Sequence, residues 1–145
     1  MIPSATIKNM IKGWEGCRLT AYRCPAGVWT IGYGHTGADV SEGLTISRAR
    51  ADELFDRDIA AFARQVDRVV ACVPLTPCQY DALLSLAYNI GIGRLQRSRL
   101  LALVKDNPDN PAIEGEFMKY VNAGGKTLPG LVRRRRAEAD HYFGR

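Results

Sequence analysis

The chain has 145 residues, a hydrophobic fraction of 46%, a charged fraction of 24% and a formal net charge of +5 at pH 7. These values fit one compact soluble domain, or one domain with a small subsidiary lobe, and no apolar run is long enough for a secretory signal or a membrane-spanning helix. The basic excess favours an anionic partner (nucleic acid, a membrane surface or a cell-wall polymer) without choosing among them.

The opening residues Met1 to Lys12 predict synthesis in the cytoplasm with neither signal peptide nor signal anchor. From Ser4 to Trp14, apolar Ile7, Met10, Ile11 and Trp14 recur at helical steps, so a short amphipathic helix is expected there. Glu15 falls at its last turn, where the negative end of the helix dipole raises a carboxyl pKa. Residues 17–36 are rich in Thr, Tyr, Val, Trp and Ile around the turn signal Pro25-Ala26-Gly27, which predicts a β-hairpin or small meander. Gly32 and Gly34 alternate with larger residues. They leave one strand face bare for a ligand, or for another element to cross.

From Ser47 onward the pattern is helical. Leu54, Phe55, Ile59, Phe62, Val66, Val69 and Val70 form a stripe, with Pro74 as the expected stop. Thr76-Pro77-Cys78-Gln79 is a capping box with proline at the first helical position. It opens an apolar helix that Gly91 and Gly93 should end. Ser98 caps a further helix over Arg99 to Lys105. Another carries Ile113, Phe117, Met118 and Val121 and is expected to end at Gly124-Gly125. A last helix of about a dozen residues follows Leu128-Pro129-Gly130. The expected fold class is α+β: a single domain over 1–145, with a β lobe at about 12–46 and a helical lobe at about 47–145 packed with helix 4–14. A cleft between lobes is the usual place for a ligand.

Glu15 is the only acid between Met1 and Asp39, and beside Trp14 it is the candidate proton donor; the plain alternative is a surface glutamate ending a helix. Cys24, after Arg23, is either an activated thiol or a half-buried inert one. Thr30 is either a water-positioning hydroxyl or an ordinary strand residue. The cysteines are Cys17, Cys24, Cys72 and Cys78 and the histidines His35 and His141; without a Cys-x2-Cys pair they match no metal site. A Cys72–Cys78 disulfide stays open, because spacing does not report geometry. Arg133 to Arg136 can mark nucleic-acid or membrane contact, but on a helix four successive side chains point around the circumference. Gly124-Gly125-Lys126-Thr127 is no phosphate loop, because the pattern's first glycine falls on Tyr120.

Glu15, eight residues, Cys24, five residues and Thr30, followed by Ile31-Gly32-Tyr33-Gly34-His35-Thr36, resemble the active-site signature of phage-type lysozymes (endolysins, glycoside hydrolase family 24), in the branch with Cys rather than Asp at the second position. Pro74 to Gly91 and Gly124 to Glu138 resemble later blocks of the same family. The resemblance implies a lysozyme-like fold with the active-site cleft between a β-hairpin lobe and a larger helical lobe. It implies a muramidase cleaving the β-1,4 bond between N-acetylmuramic acid and N-acetylglucosamine of peptidoglycan, with inversion. Glu15, Cys24 and Thr30 are then catalytic, and Gly34, Tyr88 and Asn89 bind substrate. His35 and Asp58 form a structural ion pair, and Arg133 or Arg134 approaches the acid. No metal and no cofactor is implied. The partner is the glycan strand, with no nucleic acid and no stable membrane insertion, for a monomer released to the periplasm through a holin-type pore. Two rivals remain: a non-catalytic wall-binding module, and a lytic transglycosylase.

Overall fold

The computed structural model describes residues 1–145. The elements in chain order are α1 (Ala5–Glu15), β1 (Arg18–Arg23), β2 (Trp29–Gly32), β3 (His35–Thr36), α2 (Arg48–Val69), α3 (Pro77–Ile90), α4 (Ile92–Gln96), α5 (Arg99–Asp106), α6 (Ile113–Phe117), β4 (Asn122–Ala123), β5 (Lys126–Thr127) and α7 (Pro129–Tyr142). This is an α+β protein. It divides into two compact units: Lys8–Ala61, and Met1–Ile7 together with Phe62–Arg145. The unit boundaries fall inside α1 and α2, so each of these helices contributes to both. None of the helices is long and apolar enough to cross a membrane.

In the first unit, β1, β2 and β3 form an antiparallel meander in chain order. Tyr22 faces Thr30 and Arg23 faces Trp29, while Thr30 and Ile31 of β2 face Thr36 and His35 of β3. Ile31, Val40 and Leu54 are buried together, with Ala21, Trp29, Leu44 and Ile46 packed on them. One face of the hairpin thus lies on α2. Lys12 joins α1 to α2 through Asp52 at 3.2 Å and lies 5.2 Å from the ring centre of Tyr33. The helix α1 ends where Gly16 turns left-handed at φ +68° and its N–H bonds Lys12 O at 3.0 Å. Glycine adopts that conformation without steric penalty.

In the second unit, α3 is buried from Gln79 to Ala87 and packs on α7. Its capping box forms: Gln79 N–H donates to Thr76 Oγ1 at 3.1 Å, and Thr76 N–H donates to Gln79 Oε1 at 2.9 Å. Ser4, at the start of α1, donates through Oγ to Asp81 Oδ2 at 2.5 Å, and His141 Nε2 of α7 lies 3.1 Å from the same oxygen. Arg135 and Glu138 of α7 are both fully buried, with Arg135 Nε 2.6 Å from Glu138 Oε1; Ser85 of α3 donates to Glu138 Oε2. Burial pushes the Glu138 carboxyl up, and the guanidinium groups of Arg135 and Arg134 oppose that shift.

Three elements differ from the sequence expectation. The stripe helix ends at Val69, well before Pro74, because the chain breaks at 70–72, where Cys72 takes φ +69°. Gly91 ends α3 as expected, but Gly93 lies inside a further short helix, α4. Gly124 and Gly125, expected to end a helix, instead form the turn of the β4–β5 hairpin with φ +58° and +76°. Two consecutive positive φ angles suit a tight hairpin whose twist matches its strands. All four cysteines are free thiols.

Candidate active site

The geometry around Glu15 starts from backbone. Glu15 closes α1 and is half-buried, and the chain returns past it at Gly34, in the turn between β2 and β3. Gly34 has φ +87°, and a Cβ there would sit 3.3 Å from Glu15 Oε2. Any side chain at this position would be strained and would crowd the carboxylate, so glycine satisfies both demands at once. At Gly32 an added Cβ would make only ordinary contact with Ala51 of α2, at 3.5 Å; what calls for glycine there is its φ of +64°.

Cys24 follows β1 in the turn that closes the hairpin. Its N–H bonds Val28 O at 3.0 Å, and Gly27 N–H bonds Cys24 O at 2.8 Å. The Val28 N–H, reaching the sulfur across this turn, is the main influence holding the Cys24 thiol below its ordinary pKa; partial burial opposes it, and the Ala26 N–H and Thr30 hydroxyl add to it. Thr30, buried in β2, has Oγ1 3.0 Å from Val28 O. That carbonyl accepts the hydroxyl proton, which leaves the Thr30 oxygen as an acceptor. Cys24 and Thr30 form one polar cluster on the hairpin face opposite Ile31.

His35 in β3 has Nδ1 2.8 Å from Asp58 Oδ2 on α2 and Nε2 3.1 Å from both oxygens of Asp39. Burial alone would lower its pKa; the hydrogen bonds and charges of Asp58 and Asp39 outweigh that, and the net shift is upward. Asp39 is held below its ordinary value by the same contact with His35. Sequence reasoning missed Asp39, although an acid four residues beyond a histidine across a glycine turn was there to be read.

Tyr88 and Asn89 close α3 in the other unit. The Tyr88 ring centre is 5.1 Å from that of Phe62, and Asn89 is exposed at the rim of a cavity of about 430 Å³ shared with Arg94, Tyr120, Asn122 and Leu131. Of the arginine run, Arg133 and Arg136 are exposed while Arg134 and Arg135 are buried, with Arg134 Nε 3.6 Å from Glu138 Oε2. The sequence read the run as circumferential, and the alternation of exposure follows from that. What it missed is Glu138, whose i−3 relation to Arg135 was visible.

The chain is similar to known proteins in sequence and in fold. The chain is 41% identical to an endolysin of Bacillus phage B103 over 90% of its own length and 49% of that protein's, so it spans about half of that relative. It is likewise 41% identical to an endolysin of Acyrthosiphon pisum secondary endosymbiont phage 1, over 89% of each. Among solved structures it is similar to the muramidase domain of SpmX from Asticaccaulis excentricus, with a TM-score of 0.87, 32% identity and 97% of both chains covered. The phage lysozyme family model matches residues 12–138, from the last turn of α1 to the buried Glu138. The chain belongs to the phage lysozyme family.

Proposed function

We propose that this protein is an endolysin-type muramidase of the Cys branch, hydrolysing the β-1,4 bond between N-acetylmuramic acid and N-acetylglucosamine of bacterial peptidoglycan for host cell lysis. Family membership and endolysin relatives support the activity. The observation that carries the mechanism is the Glu15 carboxylate lying against the bare backbone of Gly34, with the Cys24–Thr30 cluster on the same meander. Glu15 gives its proton to the glycosidic oxygen as the bond to the anomeric carbon breaks. A water held by the Thr30 hydroxyl loses its proton to the Cys24 thiolate and attacks that carbon from the opposite face. The Val28 N–H, with the Ala26 N–H and the Thr30 hydroxyl adding to it, lowers the Cys24 pKa and so favours the thiolate relative to an ordinary thiol. The product is inverted. Gly34, Tyr88 and Asn89 bind the glycan, and the His35–Asp58 pair fixes β3 on α2. The enzyme works as a monomer without a cofactor, on wall reached in the periplasm after release through a separate membrane pore.

Proton NMR of the first turnover on purified glycan strands tests the mechanism. Inversion gives the α-anomer at the new reducing end. Appearance of the β-anomer would refute the water-positioning roles of Cys24 and Thr30, and an anhydromuramic product would make the protein a transglycosylase.

A further inference from the structure

The connection between β2 and β3 has a pliant backbone and a buried centre. The last pair of the two strands is Ile31 with His35, so Gly32, Tyr33 and Gly34 make a three-residue connection beyond it. Both glycines take positive φ, +64° and +87°. Glycine offers little resistance to bending, so the backbone alone does not fix where Gly34 lies. Loop residues are normally at the surface, yet Tyr33, between the two glycines, is only 5% exposed. Its ring meets Phe55 of α2 edge to face, with centres 5.7 Å apart and planes at 72°. Lys12 of α1 stands over both rings: its Nζ is 5.2 Å from the Tyr33 centre and 5.0 Å from the Phe55 centre. The same ammonium lies 3.2 Å from Asp52 Oδ1 of α2. The Arg48 guanidinium carbon, 5.9 Å from the Tyr33 centre, brings a second cation to that ring.

Lys12 and Glu15 are three residues apart in α1, on one face of the helix. They meet consecutive residues of the connection. Lys12 reaches Tyr33, and Glu15 Oε2 comes within 3.3 Å of the Cβ position of Gly34. Side chains one helical turn apart move as a unit, so the seat of Lys12 sets where the Glu15 carboxyl stands against Gly34. An ion pair with Asp52 alone would tie α1 to α2 and leave the connection unfixed; the two rings bring the connection into the same contact. We propose that Lys12, seated on Tyr33 and Phe55, is a positioning residue that holds the Glu15 carboxyl in the orientation for proton transfer to the glycosidic oxygen. This rests on the muramidase reading.

The test measures kcat and KM of the full-length protein on solubilised peptidoglycan strands, with the folded fraction read by urea denaturation. Lys12→Met keeps an unbranched chain without the charge. It should lower kcat by about ten- to a hundredfold with KM nearly unchanged, because a misplaced acid is felt in the transition state and not in binding. Lys12→Arg keeps a cation over the rings and should restore most of the rate. Tyr33→Leu removes the seat, so adding Lys12→Met to it should cost little more, since both changes break one contact. If Tyr33→Leu does not fold, the two Lys12 variants decide alone. A kcat per folded molecule that is intact in Lys12→Met, a loss carried by KM, or independent effects in the double variant would overturn the proposal. Glu15→Gln separates the two ideas. If it cleaves at the wild-type rate, the hydrolase reading itself has failed; if it is inactive while Lys12→Met keeps the wild-type kcat, only the Lys12 assignment has failed.

Discussion

His35 shows how one side chain links local charge to stability. Its folded pKa is raised by Asp58 and Asp39, so the protonated ring stabilises the meander on α2. That contribution is fully present below the unfolded value of about 6.5 and is lost as pH rises through the higher folded value. Asp39 has the opposite sign: its depressed pKa gives stability above the unfolded carboxyl value of about 3.9, lost as pH falls through the folded one. Chemical denaturation of wild type and His35→Gln should therefore differ most between about pH 4 and 6.5 and converge at alkaline pH. A difference that grew above pH 8 would contradict the assignment. Cys24 is the complementary case, with an N–H cradle favouring the anion. Its rate of alkylation by iodoacetamide should inflect below the ordinary thiol value of about 8.5, and Thr30→Val should move the inflection upward. An inflection at or above that value would remove Cys24 as a base.

Elements were legible in the sequence wherever a side chain did the local work. The Thr76–Gln79 box, proline at the first position of α3, and Ser98 as the cap of α5 each name their own hydrogen bond. Glycine was read less well, because one residue type has several uses. Gly16 ends a helix, Gly34 clears space for a carboxylate, Gly32 closes β2 at a φ of +64°, and Gly124-Gly125 turns a hairpin. Only the surroundings separate these, and most of those are distant in the chain. The buried charges were hidden for the same reason: Arg134 and Arg135 look like part of a solvated basic run until α7 is laid on α3. Breaking such a buried pair is costly. Glu138→Gln should destabilise the fold by about 3–5 kcal/mol in urea denaturation, with Arg136→Gln on the exposed side nearly neutral. A loss below about 1 kcal/mol would mean that Arg135 is satisfied without Glu138.

At the scale of the molecule, a chain with net charge +5 acts on an anionic wall polymer in the proposed reading, and the family match runs from α1 to α7. The three catalytic candidates were legible together because their chemistry lies in one stretch, from the end of α1 to β2, where spacing fixes neighbourhood. Tyr88 and Asn89 came only from the family pattern, since nothing in α3 by itself marks them for a sugar. The central claim is that Glu15 supplies the proton. Release of reducing ends from purified peptidoglycan by wild type and Glu15→Gln, with wall binding measured alongside, tests it most directly. The account predicts a fall of about 10²–10⁴-fold in release with binding retained; undiminished release by Glu15→Gln would contradict it.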